Sequence, residues 1–193
     1  MTVDARPRMV VVRHGETEWS AAGKHTGRTD VPLSDDGRAA AATLRAVLAG
    51  RPFALVLTSP LQRARETAAL AGFPEAEPCD DLREWDYGED EGRTTSEIRD
   101  ERPGWSVWAD GPKDGEPLAH VAVRTERVID RALAAPGDTL AFAHAHVLRI
   151  LTARWLSLHP ELGQRFRLAT AAPSTLGWEH DYRVIEAWSC RAG

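Results

Sequence analysis

Cysteine is nearly missing from this 193-residue chain: only Cys79 and Cys190 occur. Two such residues make neither a disulfide framework nor a zinc-ligand spacing. Long apolar runs are missing too, and nothing approaches the roughly 18 apolar residues of a membrane span. Residues 1–10 lack the apolar stretch of a signal peptide, so a cytoplasmic location is expected. Basic residues do not dominate, because 24 Lys and Arg stand against 29 Asp and Glu, a formal net charge of −5. That speaks against a nucleic-acid or membrane partner, since both usually demand a basic face. A small basic pocket inside an acidic protein stays compatible with this balance. Internal repeats and low-complexity linkers are also absent.

What remains is ordinary for a globular chain. Hydrophobic residues make up 42% and charged residues 27%, which argues against disorder. The length suits one domain over residues 1–193. Short continuous apolar runs at Met9 to Val12, Ala54 to Leu57 and Thr139 to Phe142 predict strands buried on both faces. Helical periodicity lies between them. Ser34 reads as an N-cap for a helix that stops at Gly50, and Ser59-Pro60 reads as an N-cap and first turn for one that stops at Gly72. Val121 to Ala135 and Val147 to Leu158 also read as helical. A closing hairpin is expected from Thr175 to Glu179 and Arg183 to Trp188. Residues 80–117 are polar and broken, a long functional loop with one short helix after Thr94. The class is therefore α/β, a three-layer sandwich with a mostly parallel sheet and helices on both faces.

In such sheets, sites form beyond the carboxyl ends of the strands. Arg13-His14-Gly15 follows the first predicted strand, Arg63 lies in the first turn after the second, and His144 follows the third. Two arginines and two histidines on one rim, with helix N-termini aimed at it, make an attractor for a phosphate dianion. A neutral histidine can attack phosphorus, and neighbouring arginines disfavour its protonation. The reaction needs a proton donor as well. The acidic loop offers Glu84, Asp86, Glu89, Asp90 and Glu91, and spacing does not choose among them. Taken singly these features also fit blander roles: His144-Ala145-His146 could be a metal pair or two satisfied polar histidines. Trp85, Trp105 and Trp108 fit a substrate-stacking wall or a core beneath the loop equally well, whereas Trp155, Trp178 and Trp188 read as core or interface.

In the order of its motifs the chain resembles the histidine phosphatase superfamily, the phosphoglycerate-mutase-like fold. Arg13-His14-Gly15-Glu16-Thr17 resembles its RHG signature, and Ser59-Pro60-Leu61-Gln62-Arg63-Ala64 the segment whose arginine completes a phosphate pocket. Leu82-Arg83-Glu84 before Tyr87-Gly88 matches the segment of the general acid, and Ala143-His144 the late histidine. The resemblance implies His14 as nucleophile, Glu84 as acid, and Arg13, Arg63 and His144 as phosphoryl-binding groups. It implies substrate contacts at Thr17, Ser20, Thr26, Gly27, Tyr87, Ala145 and His146, with no metal and no cofactor.

Family mutases carry a lysine where Thr95 falls and an arginine pair where Ala109-Asp110 falls. Their loss here, with a short lid over residues 93–116, favours hydrolysis over transfer to a second substrate. The runs Arg83 to Gly88 and Phe142 to Arg149 are most similar to sedoheptulose-bisphosphatase-like and broad-specificity members. The expected activity is that of a metal-independent phosphomonoesterase on a small phosphorylated metabolite, a sugar phosphate. A mutase, a non-catalytic phospho-ligand binder and a metal hydrolase using His144 and His146 are the rivals.

Overall fold

The computed structural model describes residues 6–190. Strand β1 (Met9–Arg13) leads into a one-turn helix α1 (Glu18–Ala21) and helix α2 (Asp35–Leu48). Strand β2 (Leu55–Thr58), helix α3 (Gln62–Leu70) and a two-residue strand β3 (Glu77–Pro78) follow. Helices α4 (Thr95–Glu101) and α5 (Leu118–Ala134) precede β4 (Thr139–Ala143) and α6 (Ala145–Trp155). The hairpin of β5 (Pro173–Glu179) and β6 (Tyr182–Ala187) comes last.

The sheet order is β3-β2-β4-β1-β5-β6. The first four strands are mutually parallel, while β5 and β6 pair antiparallel at one edge. Alternate strand residues point to opposite faces, and the core divides accordingly. Val10, Val12, Leu140 and Phe142 pack with Leu44 and Leu48 of α2 and Ala68 of α3. Met9, Val11, Leu57 and Ala141 pack against Val121, Val128 and Ile129 of α5 and Val147, Leu148 and Leu151 of α6. Helices on both faces of a mostly parallel sheet give the three layers expected from the alternation. No helix among the described residues is long and apolar enough to cross a membrane. The leader reading concerns residues 1–10, of which 1–5 lie outside the described residues.

Three helix starts differ from the sequence reading: α5 begins at Leu118 rather than Val121, and the other two differ because a distant group intervenes. Ser59 does not cap α3. Its N–H still pairs with the Phe142 carbonyl at 2.8 Å, so the chain stays extended and Leu61 becomes the N-cap. Helix α6 begins at Ala145, earlier than Val147, because the Glu84 carboxylate accepts from the His146 and Val147 amides. Caps supplied from 62 and 63 positions away leave no local signature.

The turn after β1 is held by close backbone approach. A Cβ on Gly37 would lie 2.1 Å from the Glu16 carbonyl oxygen, and one on Gly15 would lie 2.4 Å from the Gly37 oxygen. Only glycine fits both positions. The first turn of α2 is thereby pressed onto the backbone that presents His14.

Candidate active site

His14 leaves the carboxyl end of β1, and its N–H pairs with the Ala143 carbonyl at 2.9 Å as if the sheet ran one residue further. Its Nδ1 lies 2.6 Å from the Gly15 carbonyl oxygen. A carbonyl can only accept, so Nδ1 carries the proton and the Nε2 lone pair is free. Burial, followed by the charges of Arg13 and Arg63, holds His14 well below the ordinary histidine value of 6.5. A neutral ring with an unprotonated Nε2 is what nucleophilic attack on phosphorus requires.

Behind this ring stand His144 and Arg63, both fully buried. The two imidazole rings meet edge to face, 5.1 Å apart. Arg63 Nε donates to His144 Nδ1 at 3.1 Å, so the His144 proton sits on Nε2, which reaches Ser59 Oγ at 2.7 Å. The other Arg63 donors take the carbonyls of Thr26, Gly27 and Thr29 at 2.9–3.1 Å. Arg63 thus ties the loop of residues 26–29 to the end of β4. Burial, then the Arg63 charge, holds His144 well below the usual histidine range.

Glu84 is fixed by three backbone amides. Its Oε1 accepts from Trp85 at 3.1 Å and Val147 at 2.8 Å, and its Oε2 accepts from His146 at 3.0 Å. The carboxylate therefore sits on the positive end of α6. Arg13 is another charged group at this site. One Nη donates to the Leu168 carbonyl at 3.0 Å, while its buried Nε has no partner among the described residues. A buried donor without a partner is unusual.

These groups open onto a cavity of about 430 Å³, a size suited to a small metabolite. Arg13, His14, Ser20, Thr26, Glu84, Tyr87, Ala145 and His146 line it. Four other expected site residues sit elsewhere. His144 and Arg63 lie behind His14, Thr17 caps α1, and the Gly27 carbonyl serves Arg63. His146 shares a hydrogen bond of 2.7 Å with the Tyr87 hydroxyl. With His144 turned to Ser59 and His146 to Tyr87, the two rings do not converge as a metal pair. No group of three or more His, Cys, Asp or Glu placed to hold a metal ion occurs among the described residues. The tryptophans divide: Trp85 and Trp105 are buried, and Trp108 lines the cavity.

Sequence reasoning missed Ser59 as the partner of His144, though a serine at the end of a central strand is the signal that marks it. It also missed Lys24, His25, Arg99 and Arg149, which line the cavity from one loop and two helices.

Residues 9–191 match the histidine phosphatase superfamily (branch 1). The chain belongs to this superfamily. An acid phosphatase of Mycobacterium tuberculosis is 39% identical over 187 residues, covering 92% of this chain and 90% of that protein. Sedoheptulose 1,7-bisphosphatase of Saccharomyces cerevisiae is 36% identical over 186 residues, covering 79% of this chain and 68% of that protein. A solved structure from Mycobacterium tuberculosis superposes with a TM-score of 0.91 at 36% identity, covering 96% of this chain and 98% of that one. The chain is accordingly a histidine phosphatase, an enzyme of the phosphoric monoester hydrolase class.

The histidines of this phosphatase make its stability acid-sensitive. Burial first, then cationic neighbours, lowers His14, His144 and His146 well below 6.5, and burial lowers His25. The unfolded chain takes up these protons near pH 6.5, while the folded chain resists them. Stability is therefore full above pH 6.5 and falls as pH drops below it. Urea midpoints measured from pH 7.5 to 5.0 will decline below pH 6.5, before carboxylates begin to titrate. A flat profile across that window contradicts the assignment.

Proposed function

We propose that this phosphatase is a metal-independent phosphomonoesterase of a small phosphorylated metabolite, a sugar phosphate, working through phosphohistidine at His14 Nε2. The observation that carries the reading is the tautomer: a neutral His14 with its proton anchored on the Gly15 carbonyl, sharing one cavity with Glu84. In the first step the Nε2 lone pair forms a bond to phosphorus and the bond to the ester oxygen breaks. The leaving oxygen takes a proton from the Glu84 carboxyl group. The charged phosphoimidazole keeps its Nδ1–H on the Gly15 carbonyl, which stabilises it. Arg13 on the cavity wall, and Arg63 and His144 behind the ring, stabilise charge on the phosphoryl oxygens. In the second step water attacks phosphorus, Glu84 accepts a water proton, and the P–N bond breaks to release phosphate and neutral His14.

Water as the acceptor is supported by the residues at the mutase positions, Thr95 and Ala109-Asp110, which lack the cations of a phosphoglycerate site. It is also supported by two relatives at 36–39% identity that are both phosphatases. The sugar-phosphate class is supported by the yeast relative's substrate and by the polar cavity. Quenching the enzyme during turnover of an alkyl phosphate, with a chelator present, will trap one acid-labile phosphoryl group on His14. Turnover without such an adduct, or turnover lost to the chelator, overturns the reading.

A further inference from the structure

In a chain of net charge −5, most guanidinium groups are matched with carboxylates, among them Arg28 with Asp86, Arg38 with Glu66, Arg124 with Glu116 and Arg154 with Glu126. The cavity breaks this pattern. Arg13, Lys24, Arg99 and Arg149 all line it, and none forms an ion pair among the described residues. Glu84 is the one carboxylate on the wall, and its oxygens are engaged with backbone amides.

Two of these cations have structural or catalytic employment. Arg13 stands beside His14. Arg149 donates to the carbonyls of Gly163 and Gln164 at 3.0 and 2.9 Å and lies over the Trp108 ring at 4.8 Å. Lys24 and Arg99 are different. Arg99 uses only its Nε, on the Trp105 carbonyl at 2.8 Å, which leaves both terminal nitrogens without a partner among the described residues. Lys24 Nζ lies 5.6 Å from the Trp19 ring and within 4 Å of no carboxylate among the described residues. Glu97, whose charge senses Lys24, is engaged in capping α4, its carboxylate accepting from Thr94 N and Oγ1.

The two cations share a built rim. Lys24 bridges Thr94 in an antiparallel pair, His25 N–H donates to the Arg93 carbonyl at 2.9 Å, and Gly92 N–H donates to the His25 carbonyl at 2.8 Å. This pairing joins the loop carrying Lys24 to the start of α4. Thr95 and Arg99, one turn apart, then present one helix face to the cavity. His25 Nε2 meets Thr95 Oγ1 at 3.3 Å and closes the join. Like charges lining one cleft repel one another until an anion enters, and they raise its local concentration.

Resting on the phosphatase reading, we propose that Lys24 and Arg99 form a second anion subsite. The favoured substrate would carry a phosphate ester at His14 and a second anionic group, phosphate or carboxylate, at the other end of a short polar chain. The walls between are His25, Tyr87, Trp108 and His146.

Three synthetic esters test this: pentyl phosphate, pentane-1,5-diyl bisphosphate and 5-carboxypentyl phosphate. The wild-type protein is expected to favour one or both of the doubly anionic esters by roughly tenfold or more in kcat/KM, the scale of a charge-assisted hydrogen bond. The preference should shrink with added salt. In the Lys24→Gln/Arg99→Gln double variant the ratio should collapse to within about threefold, while exposed Arg165→Gln keeps the wild-type ratio. Because the readout is a ratio within each protein, general loss of activity does not mimic it. The phosphate and carboxylate arms report which anion is preferred. Equal use of all three esters by the wild type, or an unchanged ratio in the double variant, overturns the subsite. Failure to hydrolyse any of them overturns the phosphatase reading instead. Calorimetric binding of the three esters then reads the subsite directly, and equal affinities overturn it.

Discussion

Substituting His14 with alanine is expected to lower kcat on any phosphate monoester by about 10⁴-fold or more, because the covalent route is removed outright. With its proton on Nδ1, the ring presents an Nε2 with a free lone pair in the cavity beside Arg13. His144 stands 5.1 Å behind it and cannot substitute: its Nδ1 accepts from Arg63 and its Nε2 is turned to Ser59. The folded frame does not depend on the imidazole. Gly15 N–H reaches Thr67 Oγ1 at 3.0 Å, and Thr67 in turn donates to the Arg63 carbonyl at 2.7 Å. Steady-state kinetics, together with a thermal melt at pH 7.5, separate loss of chemistry from loss of fold. Retention of more than a tenth of wild-type kcat by a folded variant would mean that phosphohistidine at this position is not the route.

The second large effect is expected at Glu84, and it should depend on the leaving group. In Glu84→Gln the proton for the ester oxygen is missing, so kcat on an alkyl phosphate should fall by about 10²–10⁴-fold. An aryl phosphate, whose oxygen leaves without help, should lose far less in the first step. The second step still lacks its base, so the aryl ester should release one equivalent of phenol in a burst and then stall as phosphoenzyme. A parallel loss on both esters with no burst contradicts the dual role. The substitution also disturbs a helix cap, since an amide nitrogen cannot accept from the His146 or Val147 amides. Glu84→Asp keeps the charge and shortens the reach. A melt that falls in Gln but not in Asp, with both losing turnover, assigns the stability loss to the cap and the kinetic loss to proton transfer.

The placement of His14 and His144 was readable from the chain because it is local. His14 and His144 each stand one residue beyond a buried strand, and continuous apolar runs such as Val10 to Val12 mark such strands without reference to anything else. Helix ends with their own side-chain caps were equally readable: Ser34 accepts from Gly37 N–H at 3.0 Å, and Thr94 from Glu97 N–H at 3.2 Å. Ser59-Pro60 obeys the same local grammar and nevertheless does something else. Parallel pairing with β4 keeps Ser59 extended, and the nearby imidazole takes its hydroxyl.

By itself, then, the sequence determined the strand–helix alternation, the family, and the strand-end placement of His14 and His144. These follow from residues a few positions apart, where steric and hydrogen-bonding preferences act directly. Tertiary structure alone decided the tautomer of His144, the seating of Glu84 on α6, and the meeting of Lys24 and Arg99 at one cavity. Each depends on groups far apart in the chain: Arg63 and Ser59 lie 81 and 85 positions from His144, and the amides that hold Glu84 include two at 62 and 63 positions. Thr95, expected from the sequence to hold the place of a mutase cation, lines the cavity, and Arg99, one helical turn further on, faces the same cavity.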